Sequence, residues 1–172
     1  MNTVNCHVHA ISSLTANVYK VLLKPKSEAD QNFDFIPGQY LSFVMADDDK
    51  RPFSIASAPN AEYIELQIGA FGADSYPMQV IERIQAAHAD NSTVTVEMPL
   101  GGAGLVKEST RPLLLLAGGT GFSYIKSMFE YLAETQSARE VIVYWGLREQ
   151  SACYELDKTA ATLASLANAT FI

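Results

Sequence analysis

Two short stretches carry residue types from which chemistry could be built. Gly118-Gly119-Thr120-Gly121 stands between an apolar run and a helical pattern. Glycines let the backbone approach a pyrophosphate closely. The free N–H groups and the dipole at a helix N-terminus attract the anion. The spacing departs from the usual dinucleotide fingerprint. Gly119-Thr120-Gly121-Phe122-Ser123-Tyr124 matches the first two glycines of GxGxxG and has Tyr124 where the third would stand. A glycine-rich strand-to-helix turn with no ligand has the same local pattern. The second stretch is Arg51-Pro52-Phe53-Ser54. Arginine suits a phosphate or a ring oxygen, Phe53 offers an apolar plate, and Ser54 offers a hydroxyl that both donates and accepts. By spacing alone this second stretch reads as ordinary strand.

Other candidates are weaker. The run Tyr144-Trp145-Gly146-Leu147-Arg148-Glu149 follows a second apolar strand and lacks the acid that would hold a ribose 2′-hydroxyl. Arg148 stands where it could meet a 2′-phosphate, or pair with Glu149 in solvent. Gly72-Ala73-Asp74-Ser75 is either a phosphate loop or an ordinary helix cap, and Asp74 favours the cap. His7 and His9 share one face of a strand, but Cys6 points to the other face and no third metal ligand is near. Tyr124, Phe129 and Tyr131 read as helix packing. Cys6 and Cys153 form no CxxC pair and read as two reduced thiols in a cytoplasmic protein.

The elements that must position these residues change character near Arg111. Before it, strands are expected over residues 4–11, 17–24, 39–45, 53–57, 63–69 and 93–97, with 47–50 as a charged loop. Six short strands separated by turn residues suggest a small sandwich or barrel. Pro37-Gly38 is a good turn pair. One helix interrupts them, with Val80, Ile81 and Ile84 at helical spacing through Met78 to Arg83, capped by Asp74 or Ser75 and with Pro77 in its first turn. After Arg111, residues 113–117 and 141–145 read as strands buried on both faces of a parallel sheet. Helices are expected over 122–135, with Ile125, Met128, Phe129 and Leu132 on one face, and over 154–166, with Leu156, Leu163 and Leu166 apolar. Residues 169–172 begin a third strand. Strand–helix–strand–helix–strand is one mononucleotide-binding half of a doubly wound fold.

Composition narrows the partners. With 48% apolar and 18% charged residues the 172-residue chain can bury a core in one large or two small domains. A formal net charge of −7 argues against a nucleic-acid partner, whose phosphates are met by lysine and arginine. The first ten residues lack a basic n-region, and the longest apolar run, 112–117, is too short to span a bilayer.

Together, Arg51-Pro52-Phe53-Ser54-Ile55-Ala56-Ser57 and Gly118-Gly119-Thr120-Gly121-Phe122-Ser123-Tyr124 resemble the ferredoxin–NADP reductase superfamily. They resemble most the bacterial NAD(P)H:flavin oxidoreductases, the group that includes the flavin reductases supplying luciferase. Pro37-Gly38-Gln39-Tyr40, Ile64-Glu65-Leu66-Gln67-Ile68-Gly69-Ala70 and Tyr144-Trp145-Gly146 add to the likeness, which runs the whole chain in order.

The resemblance implies a two-domain β plus α/β protein. Residues 1–108 would be a six-stranded antiparallel Greek-key barrel holding flavin, and 109–172 a doubly wound parallel α/β domain holding NADH or NADPH. It implies that Arg51, Pro52, Phe53 and Ser54 line the flavin, that Ile68, Gly69 and Ala70 pass beneath it, and that Ser54 bonds near N5 as the catalytic residue. Gly118, Gly119, Thr120, Gly121, Phe122 and Ser123, with Trp145, Gly146 and Arg148, would hold the dinucleotide. Flavin (FMN, FAD or riboflavin) would be a diffusible substrate that leaves reduced for a monooxygenase, a luciferase-type enzyme or ferric complexes. No metal, nucleic acid or membrane is expected. Relatives in this group carry further strands and helices after the third parallel strand, so the α/β domain reads as C-terminally incomplete. A non-catalytic flavin-binding module is the alternative. A module reducing an iron–sulfur partner is a third reading, although the four clustered cysteines of such a centre are missing here.

Overall fold

The computed structural model describes residues 2–27 and 34–172, so residues 1 and 28–33 of the expected barrel lie outside the described residues. Six strands make the first sheet: β1 (Asn2–Thr15), β2 (Val18–Pro25), β3 (Tyr40–Ala46), β4 (Asp49–Ser54), β5 (Ile64–Gly69) and β6 (Thr93–Leu100). They run antiparallel in the order β4-β3-β6-β1-β2-β5, and an isolated bridge between Ile55 and Leu66 joins the two edges into a barrel. The helix α1 (Tyr76–Ala89) sits between β5 and β6 and turns Val80, Ile81 and Ile84 into the barrel core. Ser75 is its N-cap, accepting from the Met78 N–H at 3.4 Å, which resolves the Asp74 and Ser75 alternative by simple capping.

The second part is β7 (Leu113–Gly118), α2 (Phe122–Glu134), β8 (Val141–Gly146), α3 (Leu156–Ala164) and β9 (Ala169–Phe171). Its three strands are parallel in the order β7-β8-β9. A 3-10 turn, Gly119–Gly121, joins β7 to α2. This is the two-part β plus α/β architecture that the sequence pattern implied. No helix among the described residues is long and apolar enough to cross a membrane.

Three local expectations are corrected. The strand expected over 53–57 is β4, which starts at Asp49 and ends at Ser54; the charged loop shrinks to the turn at Asp47 and Asp48. Pro52 fits because β4 is an edge strand, where a missing N–H leaves no ladder bond unmade. The helix expected from 154 starts at Leu156, because Glu155 adopts a left-handed backbone (φ 52) that cannot continue a helix backwards; Leu156 is exposed. The parallel strands are covered on one face only. Leu115, Val141 and Val143 pack against α2 and α3, while Leu114, Leu116 and Tyr144 are exposed. An unbroken apolar run does not say which side a helix will cover, so the two-faced expectation was too strong.

The barrel and the α/β part meet at Gly38, where both the backbone conformation and the close neighbours disfavour a side chain. Gly38 has φ +97, and a Cβ there would run into Met128 Cε and stand 3.0 Å from the Tyr124 ring. Tyr124, which replaces the third fingerprint glycine, donates its hydroxyl to the Ala103 carbonyl and so braces α2 against the connection between the two parts. Gly38→Ala is expected to lower unfolding free energy by about 1–3 kcal/mol, from left-handed strain and crowding together. Chemical denaturation of the purified variant checks this; an unchanged midpoint would show that Met128 moves aside and the backbone relaxes.

Candidate functional site

Strand β5 alternates strictly. Ile64, Leu66 and Ile68 point into the barrel core, and Ile68 is fully buried there. Glu65, Gln67 and Gly69 therefore face the other way, toward the α/β part. Gly69 ends the strand, and a Cβ on it would stand 3.0 Å from Thr120 Cγ2 and 3.1 Å from the Phe71 ring. The two motifs thus meet in space: Gly69 brings no side chain of its own, and the Thr120 side chain of the glycine turn packs against it. Ser54 is half-buried at the end of β4, paired with Tyr40 of β3. The Ile55–Leu66 bridge continues that register, setting Ser54 alongside Gln67.

The glycine turn has the form of an anion cradle. Gly118, Gly119 and Gly121 each have open space where a Cβ would be, and Gly119 has φ +51. The N-terminus of α2 has no side-chain cap and no acidic residue in its first turn. No carboxylate therefore opposes the positive end of its dipole, on a chain whose net charge is otherwise negative. Gly118 and Gly146 are register partners at the carboxyl ends of β7 and β8, where open α/β sheets take their ligands. Arg148 lies just beyond, exposed and without an ion pair among the described residues.

Several expected site residues sit elsewhere than on the cradle's surface. Phe122 and Trp145 are buried and stacked at 3.9 Å between ring centroids. The Trp145 Nε1–H donates to the Gly119 carbonyl at 2.9 Å, so both rings prop the turn from below. Ser123 is buried, with its hydroxyl 3.4 Å from the Gln67 carbonyl oxygen. Ile68 and Ala70 have buried side chains, leaving only their backbone to face a ligand. Arg51 is occupied: Asp49 grips its guanidinium at two nitrogens, and the same group donates to the Tyr76 carbonyl at 3.3 Å and Gln79 at 3.2 Å. That bond from Arg51 holds the Asp49 carboxyl below its ordinary range. Pro52 is exposed, and Phe53 packs edge-on to Phe43. His9 stacks on Tyr63 at 4.2 Å.

Sequence reasoning missed a buried polar seam below the crevice. Lys126, 2% exposed, contacts Glu65 at 3.2 Å and Glu130 at 2.7 Å, and donates to the Ala56 carbonyl at 3.4 Å. Lys20 of β2 contacts Glu155 at 2.7 Å and Glu65 at 3.4 Å. The Gln67 amide donates to Glu65 and Glu155 at 3.0 and 2.9 Å. Ser127 donates to the Ser57 carbonyl at 2.7 Å. A signal existed: Ser123, Lys126, Ser127 and Glu130 fall at i, i+3, i+4 and i+7, a polar stripe beside the apolar one on α2. Burial alone would raise the Glu65 carboxyl, but Lys126, Lys20 and Lys158 outweigh it and hold its pKa below the ordinary value.

A carboxyl whose folded pKa is depressed stabilises the fold above its ordinary pKa, and that stabilisation is lost as pH falls through the folded value. The thermal midpoint should therefore drop as pH falls below about 4.3. Glu65→Gln should flatten that drop when melting is followed from pH 7 to 3. Superimposable slopes for the two proteins would show that Glu65 titrates normally.

Comparison with known proteins agrees with this geometry. Residues 115–171 match the family model described as oxidoreductase NAD-binding domain. The NAD(P)H-flavin reductase of Vibrio harveyi is 38% identical over 172 residues, spanning 99% of this chain and 71% of that protein. The NAD(P)H-flavin reductase of Aliivibrio fischeri is 38% identical over 168 residues, spanning 96% of this chain and 68% of its own length. Among solved structures, a ferredoxin–NADP+ reductase from Plasmodium falciparum superposes with a TM-score of 0.81 at 16% identity, over 99% of this chain and 69% of that one. That last likeness carries the fold alone, but the two bacterial relatives carry more: this chain belongs to the NAD(P)H-flavin reductase family.

Proposed function

We propose that this chain moves a hydride from C4 of NADH or NADPH to N5 of a weakly held flavin, which then leaves reduced. The observation that carries the reading is the close approach of Gly69 to Thr120, where the flavin-side strand has no side chain of its own and the Thr120 side chain of the dinucleotide-side turn packs against it. We assign residues 1–108 to the flavin and 109–172 to the dinucleotide.

The chain's own part is binding and orientation; the two substrates supply the hydride donor and its acceptor. The cradle residues Gly118 to Gly121 offer N–H groups to the pyrophosphate, with Phe122, Trp145 and Gly146 holding the turn in shape. Arg148 is placed for a 2′-phosphate, which would favour NADPH. On the barrel side, Phe53 and Pro52 offer apolar surface and the backbone at Ile68 to Ala70 forms the floor. Because Arg51 is already neutralised by Asp49, it contributes little to a flavin phosphate, so FMN, FAD and riboflavin can all serve. Ser54 donates a hydrogen bond near N5. Holding two rings in a reactive arrangement contributes on the order of 7–11 kcal/mol to the barrier reduction. The reduced flavin would pass to a monooxygenase, a luciferase-type enzyme or a ferric complex. A supply of reduced nicotinamide fits a cytoplasmic setting.

The first test is oxidation of NADH and NADPH by the purified chain with added FMN, followed at the nicotinamide absorbance band. Flavin-dependent turnover is expected; flavin binding without turnover would replace this reading with a binding module. Ser54→Ala should then cost about 1–3 kcal/mol, roughly tenfold to a hundredfold in turnover number. An unaltered turnover number would remove Ser54 from the role. Gly118 has φ −119 and open space for a methyl group, so Gly118→Ala should fold normally. Its added methyl should raise the KM for the dinucleotide by about tenfold, a loss of about 1.4 kcal/mol. A native KM in a folded Gly118→Ala chain would place the phosphates elsewhere.

A further inference from the structure

The contacts between β5 and α2 form a ladder. Gly69 meets Thr120, Gln67 meets Ser123, and Glu65 meets Lys126. Each rung steps back two residues on the strand and forward three on the helix side. A strand repeats its facing side every two residues, and a helix nearly every three or four, so the two faces stay in register over the three rungs. The top rung is bare van der Waals contact at the junction of the two motifs. The bottom rung is a buried ion pair, with Lys126 about 7.5 Å along the helix axis from the glycine turn at 1.5 Å per residue.

The bottom rung is electrically closed. Lys20, Lys126 and Lys158 face Glu65, Glu130 and Glu155, and the contacts among them run from 2.7 to 3.8 Å. Buried ion pairs of this kind seldom stabilise a fold beyond what a well-packed apolar seam would supply. Their property is direction: a charge pair bonded to fixed carbonyls tolerates little sliding, whereas an apolar seam tolerates more. The Lys126 ammonium also bonds the Ala56 carbonyl, two residues beyond Ser54, so a single side chain ties α2 to β5 and to the segment that follows β4.

We propose that Lys126, acting through Glu65, is a positioning residue that sets the height of the glycine turn over Gly69, and with it the separation of the dinucleotide from the flavin. The inference rests on the hydride-transfer reading above, and it predicts a split that a merely structural lysine would not give. Lys126→Met keeps the length of the side chain and removes its charge. In single-turnover reduction of FMN by NADH, Lys126→Met should slow the hydride step by about tenfold to a hundredfold, the scale of a misplacement near 1 Å. The FMN dissociation constant should change less than the hydride-transfer rate, because Lys126 is buried beneath the crevice and lies outside the residues assigned to the flavin. Lys126→Arg should recover most of the rate.

Hydrogen exchange supplies a readout that needs no turnover. Amides in 67–70 and 118–123 should exchange faster in Lys126→Met than in the native chain, and Lys158→Met, altering an exposed lysine at the seam's margin, should leave both segments as they were. Native exchange rates at both segments in a folded Lys126→Met chain overturn the proposal, and so does a native hydride-transfer rate. If Lys126→Met does not fold, Glu65→Gln keeps the seam's shape and carries the same two expectations. If the native chain oxidises neither NADH nor NADPH with FMN, the reductase reading falls and the exchange comparison alone decides whether Lys126 positions the turn.

Discussion

Everything in this molecule that bears on chemistry depends on the fit of one barrel strand against one helix. β5 presents Glu65, Gln67 and Gly69 to α2 while its other face closes the barrel with Leu66 and Ile68. The strand therefore serves two interiors at once. Its polar face has to be satisfied by partners on another part of the chain, because buried polar groups without partners are strongly unfavourable. Lys126, Ser123 and Glu155 are those partners. The demand for satisfaction is what brings the glycine turn over Gly69.

Size exclusion then completes what the charges begin. Gly69 and Gly38 are both places where an added side chain would crowd its neighbours across the junction of the two parts. Tyr124 fills the volume that a fingerprint glycine leaves empty in other dinucleotide sites, and uses its hydroxyl to hold the connecting segment. The departure from GxGxxG is thus a packing feature of this interface. It does not close the cradle, since Gly118, Gly119 and Gly121 each keep open space where a Cβ would be.

The electrostatics divide by location. The chain is acidic overall, yet the first turn of α2 has no carboxylate, so the helix dipole is left to act on a ligand. Arg51, the side chain most suited to an anion, is spent on Asp49 and on the start of α1, tying β4 to that helix. On the proposed reading, the barrel side would recognise a ring rather than a phosphate, and the α/β side a phosphate. Meanwhile the far face of the parallel sheet, with Leu114, Leu116 and Tyr144, stays exposed, because both helices pack on the side of Leu115 and Val143.

Local physics was written in the residues. Alternation marked the barrel strands, and helical spacing marked α1 and α2. Asp74 or Ser75 with Pro77 marked a helix start, and the glycine turn marked a strand-to-helix junction. These are readable because period, capping and turn chemistry act within a few residues. The pairing of Lys126 with Glu65 was not readable, since no local rule links positions so far apart and a buried lysine looks like a solvated one in sequence. The same holds for Trp145 and Phe122 turning beneath the cradle, and for the single covered face of β7. The start of β4 lay between: Asp49 and Arg51 sit on one face of a strand, a cue available only once the strand is known to begin there. The sequence by itself determined which elements form and which residues could do chemistry. Tertiary structure decided which of them face a ligand and which hold the others in place, because burial and long-range charge pairing exist only after the chain has closed on itself.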